Sequence, residues 1–359
     1  MDKLNSIFKL VASILIVCLL IMGVIVLKPT AVLKKAAVWS VAAALPDGAY
    51  TFLLKENSNQ TTFQEDTVLE QETQFDILQT QTNILDVGVK TEAVEQKVLG
   101  NIVKRTMSPY GANTKFGAVN ISNKTGVDID IEKALKTPLS FDVEKSQQPQ
   151  ILIYHTHATE AFMNDESEYY TNRDEPRSTD TNVNIVKIGE QIAKRLNNAG
   201  YTVIHDKTLH DHPGYSGSYS RSLETIKTTL KKYPSIKIAI DIHRDSISSG
   251  KSDKVAPVVM VDGKEAAQVM LVMGSETGTI TDYPNWRDNL QLAIKLQSIF
   301  ETKYPQFARS VLLKSAKYNQ NVLKGSFLIE IGSDANTLKQ ALYSAELVSN
   351  SLITLLNSN

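Results

Sequence analysis

From residue 150 to residue 356, the sequence alternates between short apolar runs and longer amphipathic segments. The first run is Ile-Leu-Ile-Tyr at residues 151–154, a pattern typical of a strand that is buried on both faces. The first amphipathic segment repeats its apolar residues at helical spacing, at Val183, Val186, Ile188, Ile192 and Leu196. This alternation predicts an α/β domain of three layers, with a mostly parallel sheet and helices on both faces.

The same patterns predict the remaining elements of this domain. The predicted strands are residues 151–157, 201–205, 236–242, 255–261, 268–273 and 327–331. The predicted helices are residues 181–198, 219–232, 288–304 and 337–356. Thr181 is the predicted cap of the first helix, and Gly200 the residue that stops it. Before the domain we predict an amphipathic helix within residues 85–103, a strand at 116–122 and a short helix at 129–135.

The N-terminal segment is apolar and long enough to cross a membrane. Residues 10–27 carry no charge, and eighteen residues at the rise of a helix span about 27 Å. A cleaved signal peptide is the alternative: Leu27-Lys-Pro29 is a poor cleavage site, although the alanines at 36–37 and 42–44 leave cleavage open. We favour an uncleaved anchor, with residues 1–9 in the cytoplasm and the rest of the chain translocated.

The chain after the anchor divides into three parts. Residues 28–110 are predicted to be a stalk or an accessory region, because residues 57–83 are rich in Gln, Asn, Thr, Glu and Asp and contain few apolar residues. Residues 111–149 form a lead-in segment with a strand and a helix. Residues 150–356 form the main domain.

Composition excludes some classes of function and of metal site. The formal net charge is −1, which gives no indication of a nucleic-acid partner. The only cysteine is Cys18, which lies within the apolar segment. Disulfides and thiolate zinc sites within one chain are therefore excluded, and any metal site must use His, Asp and Glu.

Polar residues follow the first strand, at His155, His157 and Glu160. Successive side chains of a strand alternate between faces, so we expect His155 and His157 to point the same way. Glu160 follows at the carboxyl end, where open α/β sheets place their ligand crevices. Imidazole and carboxylate groups are ligands of zinc, so these residues are candidate ligands. The alternative is a pair of surface histidines.

Two later strands also carry charged residues. Glu330 interrupts the apolar run 327–331, and a buried carboxylate is costly unless it has a charged partner, a metal or a catalytic role. The structural alternative for Glu330 is an ion pair with Arg244 or Lys324. For Asp241 and Arg244 we favour an ion pair with each other.

A loop of three residues, His210-Asp-His212, is a further and weaker candidate metal site.

Three motifs together resemble the signature of the stage II sporulation protein P family. They are His-Thr-His-Ala-Thr-Glu at 155–160, Asp-Ile-His-Arg-Asp at 241–245 and Phe-Leu-Ile-Glu-Ile-Gly at 327–332. Asn-Ile-Ser-Asn-Lys-Thr-Gly at 120–126 and the N-terminal anchor also fit, and the resemblance covers most of residues 110–356. More distantly, the domain is similar to zinc-dependent N-acetylmuramoyl-L-alanine amidases.

The resemblance to the amidases implies a zinc site and a catalytic base. His243 corresponds to their second histidine and Glu330 to their catalytic glutamate. His157 is the favoured first histidine ligand, and His155 is either a ligand or a residue that supports one. Glu160 is the favoured carboxylate ligand, with Asp180 as the alternative. Arg244 is expected to bind a carboxylate of the substrate.

The family resemblance also implies a substrate and a setting. The expected activity is peptidoglycan hydrolysis, by an amidase that is also an endopeptidase, in septal wall remodelling and engulfment during sporulation. The expected location is the mother-cell membrane that faces the septum and forespore, with the catalytic domain on the extracytoplasmic side. Expected partners are stage II sporulation protein D, a lytic transglycosylase, and stage II sporulation protein M. The alternatives are a membrane-anchored peptidoglycan-binding module with an inactive amidase-like fold and a metal-dependent glycan deacetylase.

Overall fold

A computed structural model of the chain describes residues 95–107, 109 and 111–358. The predicted anchor at residues 10–27, and the stalk region as far as residue 94, lie outside the described residues. Within the described part, none of the helices combines the length and the apolar character that crossing a membrane requires.

The described residues form thirteen strands. They are β1 (Val98–Arg105), β2 (Thr114–Phe116), β3 (Val119–Asn123), β4 (Ser146–Tyr154), β5 (Tyr169–Thr171), β6 (Tyr201–His205), β7 (Ile238–Asp245), β8 (Ser248–Ser249), β9 (Asp253–Val261), β10 (Lys264–Ala267), β11 (Val269–Gly274), β12 (Val311–Lys314) and β13 (Ser326–Ser333). Every strand predicted within residues 150–356 is present.

The same residues form five α-helices and a 3₁₀ turn at Gln320–Val322. The helices are α1 (Ile131–Lys136), α2 (Ile185–Asn198), α3 (Ser218–Lys232), α4 (Trp286–Lys303) and α5 (Leu338–Asn357). Helix α2 begins later than predicted, because Asn184 rather than Thr181 accepts the hydrogen bond from the first turn, at Val186 N. Gly200 follows its end at a φ of +95°, as the sequence indicated.

Eight strands form the main sheet, in the order β2-β3-β12-β11-β13-β7-β4-β6. The pairs β2–β3 and β11–β13 are antiparallel, and the other five pairs are parallel. The prediction of a mostly parallel sheet is therefore confirmed.

Helices cover both faces of this sheet, as strand β4 shows. Ile151 and Ile153 pack into the large apolar core that includes helix α2. Leu152 and Tyr154 point to the other face and pack with Ile226 of helix α3. This alternation within one strand buries apolar side chains on both sides, so the three-layer arrangement is confirmed.

The small sheet runs β10-β9-β1-β5, with β8 on β9, and it corrects one prediction. Residues 98–103, within the predicted helix 85–103, belong to strand β1, which pairs with β9 on one side and β5 on the other. Gly100 disfavours a helix, and a Cβ there would lie 1.9 Å from Ser252 O. Backbone pairing with two strands outweighs the local helical pattern.

The predicted strand 116–122 is also corrected, because it is the hairpin of β2 and β3, which turns at Gly117 with a φ of +57°.

Candidate metal centre

Three buried side chains, those of His157, Glu160 and His243, meet beyond the carboxyl end of strand β4. Each offers one ligand atom, and these atoms all lie within 4.8 Å of one another. Glu160 Oε1 is 3.4 Å from His157 Nδ1, and Glu160 Oε2 is 3.6 Å from His243 Nδ1. Within the described part of the chain, no other group of three His, Cys, Asp or Glu residues has this geometry.

Strand β4 ends at Tyr154, and this separates the two histidines of the first motif. Residues 156–159 form a turn, so the alternation expected of a longer strand stops before His157. His157 therefore lies beside His243, with 4.9 Å between the ring centroids, and His155 points elsewhere. The prediction that both histidines share one face is wrong for this reason.

Two buried aspartates hold this turn in place. Asp241 accepts hydrogen bonds from Thr156 N at 2.9 Å and from Thr156 Oγ1 at 2.6 Å. Asp211 accepts hydrogen bonds from Thr159 N at 3.2 Å and from Thr159 Oγ1 at 2.6 Å. The turn that carries His157 and ends at Glu160 is thus fixed at both ends by charge-assisted bonds.

Glu160 is oriented through its own side chain and through its backbone. Its Oε2 accepts a hydrogen bond from Arg244 N at 3.0 Å, and its carbonyl accepts one from Ile185 N at 2.8 Å. Burial alone would raise the pKa of Glu160, but His243 and His157 outweigh it and lower that pKa well below its usual range. The carboxylate is therefore ionised and directed at both histidines.

His243 lies between two carboxylates. Its Nε2 is 2.9 Å from Asp241 Oδ1, although this contact is not aligned as a hydrogen bond. Burial disfavours charge on this ring, but Asp241 and Glu160 outweigh the burial and raise the pKa of His243 well above its usual range. The surroundings of His243 thus strongly favour a positive charge.

The residues present fit a zinc ion. Two imidazoles and one carboxylate are a ligand set that zinc takes in sites with three protein ligands. The ionised carboxylates of Glu160 and Asp241 concentrate negative charge at the same place, and a dication compensates it. The group His157, Glu160 and His243 is therefore compatible with metal binding.

Glu330 lies next to His243 in the sheet. The two residues are register partners on the parallel strands β13 and β7, and their side chains share a face. Glu330 Oε2 is fully buried and has no hydrogen-bond partner within the described residues. Burial and then Asp245 raise the pKa of Glu330 well above its usual range. The alternative ion pair of Glu330 with Arg244 or Lys324 is not formed among the described residues.

Comparison with known proteins decides the family. The profile described as stage II sporulation protein P matches residues 51–353, well over half of the chain. The chain belongs to the stage II sporulation protein P family. A curated relative, stage II sporulation protein P of Bacillus subtilis (strain 168), is 29% identical over 201 residues. That match covers 53% of this chain and 47% of the relative, so it spans about half of the relative's length.

Solved structures with a similar chain path include two amidases. One is the CwlD amidase from Clostridioides difficile in complex with the GerS lipoprotein, at a TM-score of 0.37 and 12% identity over 58% of this chain and 100% of that chain. Another is the N-acetylmuramoyl-L-alanine amidase AmiC2 of Nostoc punctiforme, at a TM-score of 0.34 and 12% identity. That match covers 60% of this chain and 99% of the amidase chain.

His155 lies outside the group of candidate ligands, because both of its ring nitrogens are used elsewhere. Nδ1 donates to Ile242 O at 2.9 Å, and Nε2 lies 2.9 Å from His205 Nε2. Burial is the main cause that lowers the pKa of His155 to about 4 and that of His205 to about 3. In this family member His155 connects the turn after β4 to the backbone just before His243.

Asp180 and the loop His210–His212, which the sequence also offered as candidate metal ligands, form hydrogen bonds and ion pairs within the protein instead. Asp180 is exposed and accepts hydrogen bonds from Asn182 N and Nδ2, so it lies in the turn before helix α2 and outside the ligand group. In the loop His210–His212, His210 Nδ1 donates to His155 O at 2.8 Å, and Asp211 pairs with Arg177 at 2.9 Å. This loop holds the ligand turn, and the hypothesis that it is a separate metal site is wrong.

Arg244 is buried and is surrounded by backbone oxygens. Its guanidinium donates to the carbonyls of Ala161 at 3.0 Å, Asp245 at 3.3 Å and Pro176 at 2.5 Å. The predicted ion pair with Asp241 is not formed. The predicted contact with a substrate carboxylate would require these bonds to break, and it stays a prediction.

Sequence reasoning missed several residues around the candidate ligands. Tyr215 and Tyr219 have ring centroids 4.5 and 5.6 Å from that of His157. Asp245, which ends the second motif, pairs with Arg309 at 2.6 Å. The four-residue spacing of the two tyrosines is a weak signal, and Arg309 lies too far along the chain for any local pattern to connect it to Asp245.

Proposed function

We propose that this family member is a membrane-anchored, zinc-dependent peptidoglycan hydrolase, an N-acetylmuramoyl-L-alanine amidase that also has endopeptidase activity. One observation carries the proposal: the buried group of His157, Glu160 and His243 has Glu330 as its neighbour on the next strand. Membership of the stage II sporulation protein P family supports a role in sporulation. The resemblance of the motifs around His243 and Glu330 to zinc amidases supports an amide bond as the target.

The ligand group and Glu330 divide the chemistry between them. His157, Glu160 and His243 would hold the metal, and a bound zinc ion supplies a Lewis acid that activates water and polarises a carbonyl. Asp241 holds the turn of His157 through Thr156 and lies against the ring of His243. This support is of the kind that keeps metal ligands in one orientation.

Glu330 would move the proton. Its Oε2 takes a proton from the attacking water as the water oxygen bonds to the amide carbon. The C–N bond then breaks, and Glu330 returns that proton to the leaving nitrogen. The products are a carboxylate on the acyl side and a free amine on the peptide side. Burial and the neighbouring Asp245 favour the protonated form of Glu330 in the metal-free chain, and a dication at the ligand group would favour the carboxylate that accepts the proton.

The proposed location follows from the apolar segment at residues 10–27. An anchor there would hold the domain on the extracytoplasmic side of the mother-cell membrane, facing the septum and forespore. Engulfment is the proposed process, and stage II sporulation proteins D and M are the proposed partners, on the family resemblance alone. Cell fractionation and the mass of the mature protein would distinguish an anchor from a cleaved signal peptide.

Digestion of purified peptidoglycan by the full chain in detergent, with zinc, tests the activity. Mass spectrometry should find stem peptides with free amino termini, glycan that lacks them, and cleaved cross-links, and Glu330→Gln should form these products roughly 10²–10⁴-fold more slowly. Free acetate with intact peptides would indicate a glycan deacetylase instead. Binding to peptidoglycan without any soluble product would indicate an inactive binding module. Either outcome contradicts the proposal.

A further inference from the structure

Three tyrosine rings form a row beside the candidate ligands. The ring of Tyr215 lies 4.5 Å from that of His157, and the ring of Tyr219 lies 5.6 Å from it. Tyr318 continues the row, with its ring 6.2 Å from that of Tyr219. The three residues are half-buried, so this row borders the site and is partly open to solvent.

The tyrosines at the two ends of the row have different surroundings. The ring of Tyr215 is covered by Arg177, whose guanidinium carbon lies 4.5 Å from the ring centroid, as well as by His157. The hydroxyl of Tyr318, in contrast, makes no hydrogen bond to any residue of the described chain. The side chain is half-buried and this oxygen is open to solvent. The surroundings of Tyr318 therefore leave its donor available to a ligand.

The backbone at Tyr318 is strained. Its φ is +48°, and Asn319 follows at +54°, both in the left-handed region that costs energy for residues other than glycine. The Asn319 side chain holds this conformation, because its Nδ2 donates to Tyr219 O at 2.8 Å and to Ser222 Oγ at 3.0 Å. Strain that is kept in place by neighbouring side chains is common at functional sites. Here it places a large aromatic side chain beside Tyr219.

The charge around Tyr318 indicates what it can contact. Burial and then the neighbouring Glu330 raise the pKa of Tyr318 to about 12, so its phenol is a neutral donor at physiological pH. In its ionised form, Glu330 disfavours an anionic ligand here and favours an uncharged acceptor. Amide carbonyl oxygens, which recur along a peptide, are acceptors of this kind.

We propose that Tyr318 is a substrate-contacting residue, whose ring packs against the bound substrate and whose O–H donates a hydrogen bond to one of its amide carbonyl oxygens. The proposal rests on the proposed function, because it names the contact by which the same site recognises a peptide. Tyr219 would provide the ring against which Tyr318 is held.

Two substitutions at Tyr318 separate contact with substrate from a role in folding. Tyr318→Phe keeps the ring and loses the donor, and we expect kcat/KM to fall roughly 3- to 10-fold, the usual effect of one hydrogen bond. Tyr318→Gly removes the side chain where a positive φ suits glycine, and we expect at least about a 10-fold loss. The thermal midpoint of Tyr318→Gly should be unchanged or higher, because the strain is relieved. Tyr169→Phe, at a tyrosine of the small sheet that is 46% exposed, is the matched control and should match the wild type.

Binding is then measured apart from catalysis, by sedimenting insoluble peptidoglycan with the full chain carrying Glu330→Gln. Adding Tyr318→Gly should weaken this binding at least about 10-fold, at unchanged zinc content. Equal binding and equal kcat/KM in all the Tyr318 variants would overturn the proposal, and so would a thermal midpoint of Tyr318→Gly that falls together with activity. If the wild type releases no peptide products, the proposed function fails, whereas the binding comparison still decides the role of Tyr318.

Discussion

Residues 155–160 and residues 210–212 each carry two histidines and a carboxylate, yet the structure uses them differently. The first segment supplies two members of the candidate ligand group, and His243 supplies the third. The second segment supports the first, through His210 to His155 O and Asp211 to Thr159. Position in the sheet explains the difference. Strand β4 has β7 as its neighbour on one side, whereas β6, which precedes residues 210–212, is the edge strand.

The contrast shows that the composition of a histidine motif does not make it a metal site. A site with three ligands needs a further residue from a neighbouring element, at a distance that one ion can bridge. The four predictions below test this contrast in order of expected effect.

The largest effect is expected from His243→Ala. Without this ring the group keeps only two ligands, so the variant should lose stoichiometric zinc and all measurable activity while the domain stays folded. His210→Ala removes a histidine of the supporting loop and should keep its zinc at saturating metal. Metal analysis and circular dichroism of both variants check this. If His243→Ala keeps its zinc, His243 is not a ligand, and if His210→Ala alone loses zinc, the second segment rather than the first is the metal site.

Glu330→Gln should have the next largest effect. The substitution keeps the shape of the side chain and removes its basicity, so zinc and peptidoglycan should still bind while turnover falls roughly 10²–10⁴-fold. Zinc content, sedimentation with peptidoglycan and turnover are measured together. Loss of metal in this variant would make Glu330 a ligand, and unchanged turnover would leave the mechanism without a base.

Gly189→Ala tests the packing behind the first segment. A Cβ at this position would lie 2.6 Å from the Nε2 atoms of both His155 and His205, so the pair must move apart. We expect the free energy of unfolding to fall by about 1–3 kcal/mol, as overpacking usually does. Gly214→Ala, two residues after the second segment, is the control, because a Cβ there meets nothing within 4 Å. Chemical denaturation compares them, and equal stability of the two variants contradicts the predicted crowding.

At neutral pH the smallest effect concerns His205, because its contribution appears only as the pH falls below about 6.5. Its pKa in the folded chain is lowered from the usual 6.5 to about 3, chiefly by burial. Between those values the unfolded chain binds a proton that the folded chain does not, so stability should fall as pH falls from about 6.5 towards 3. His205→Phe removes this titration, and its stability relative to the wild type should rise towards low pH. A constant difference across this range would contradict the shift.

Much of the fold could be predicted from local patterns. The spacing of apolar residues identified the strands and helices of residues 150–356, and strand β6 has the predicted bounds, Tyr201–His205. The exceptions have physical causes. Residues 98–103 form a strand because β9 and β5 pair with them, and helix α2 begins at Ile185 because the cap is Asn184.

By itself, the sequence determined the α/β class and the residue types of any metal site. With one cysteine, at residue 18, only histidines and carboxylates were available, and the motifs at 155–160, 241–245 and 327–332 contained them. The choice between His155 and His157 depended on the tertiary structure, because β4 ends at Tyr154 and the turn that follows is set by Asp241 and Asp211. The same holds for Tyr318, whose ring comes beside that of Tyr219 only in the folded chain. Side-chain periodicity is a local property, whereas ligand geometry depends on atoms that are distant along the chain and are brought together by the sheet.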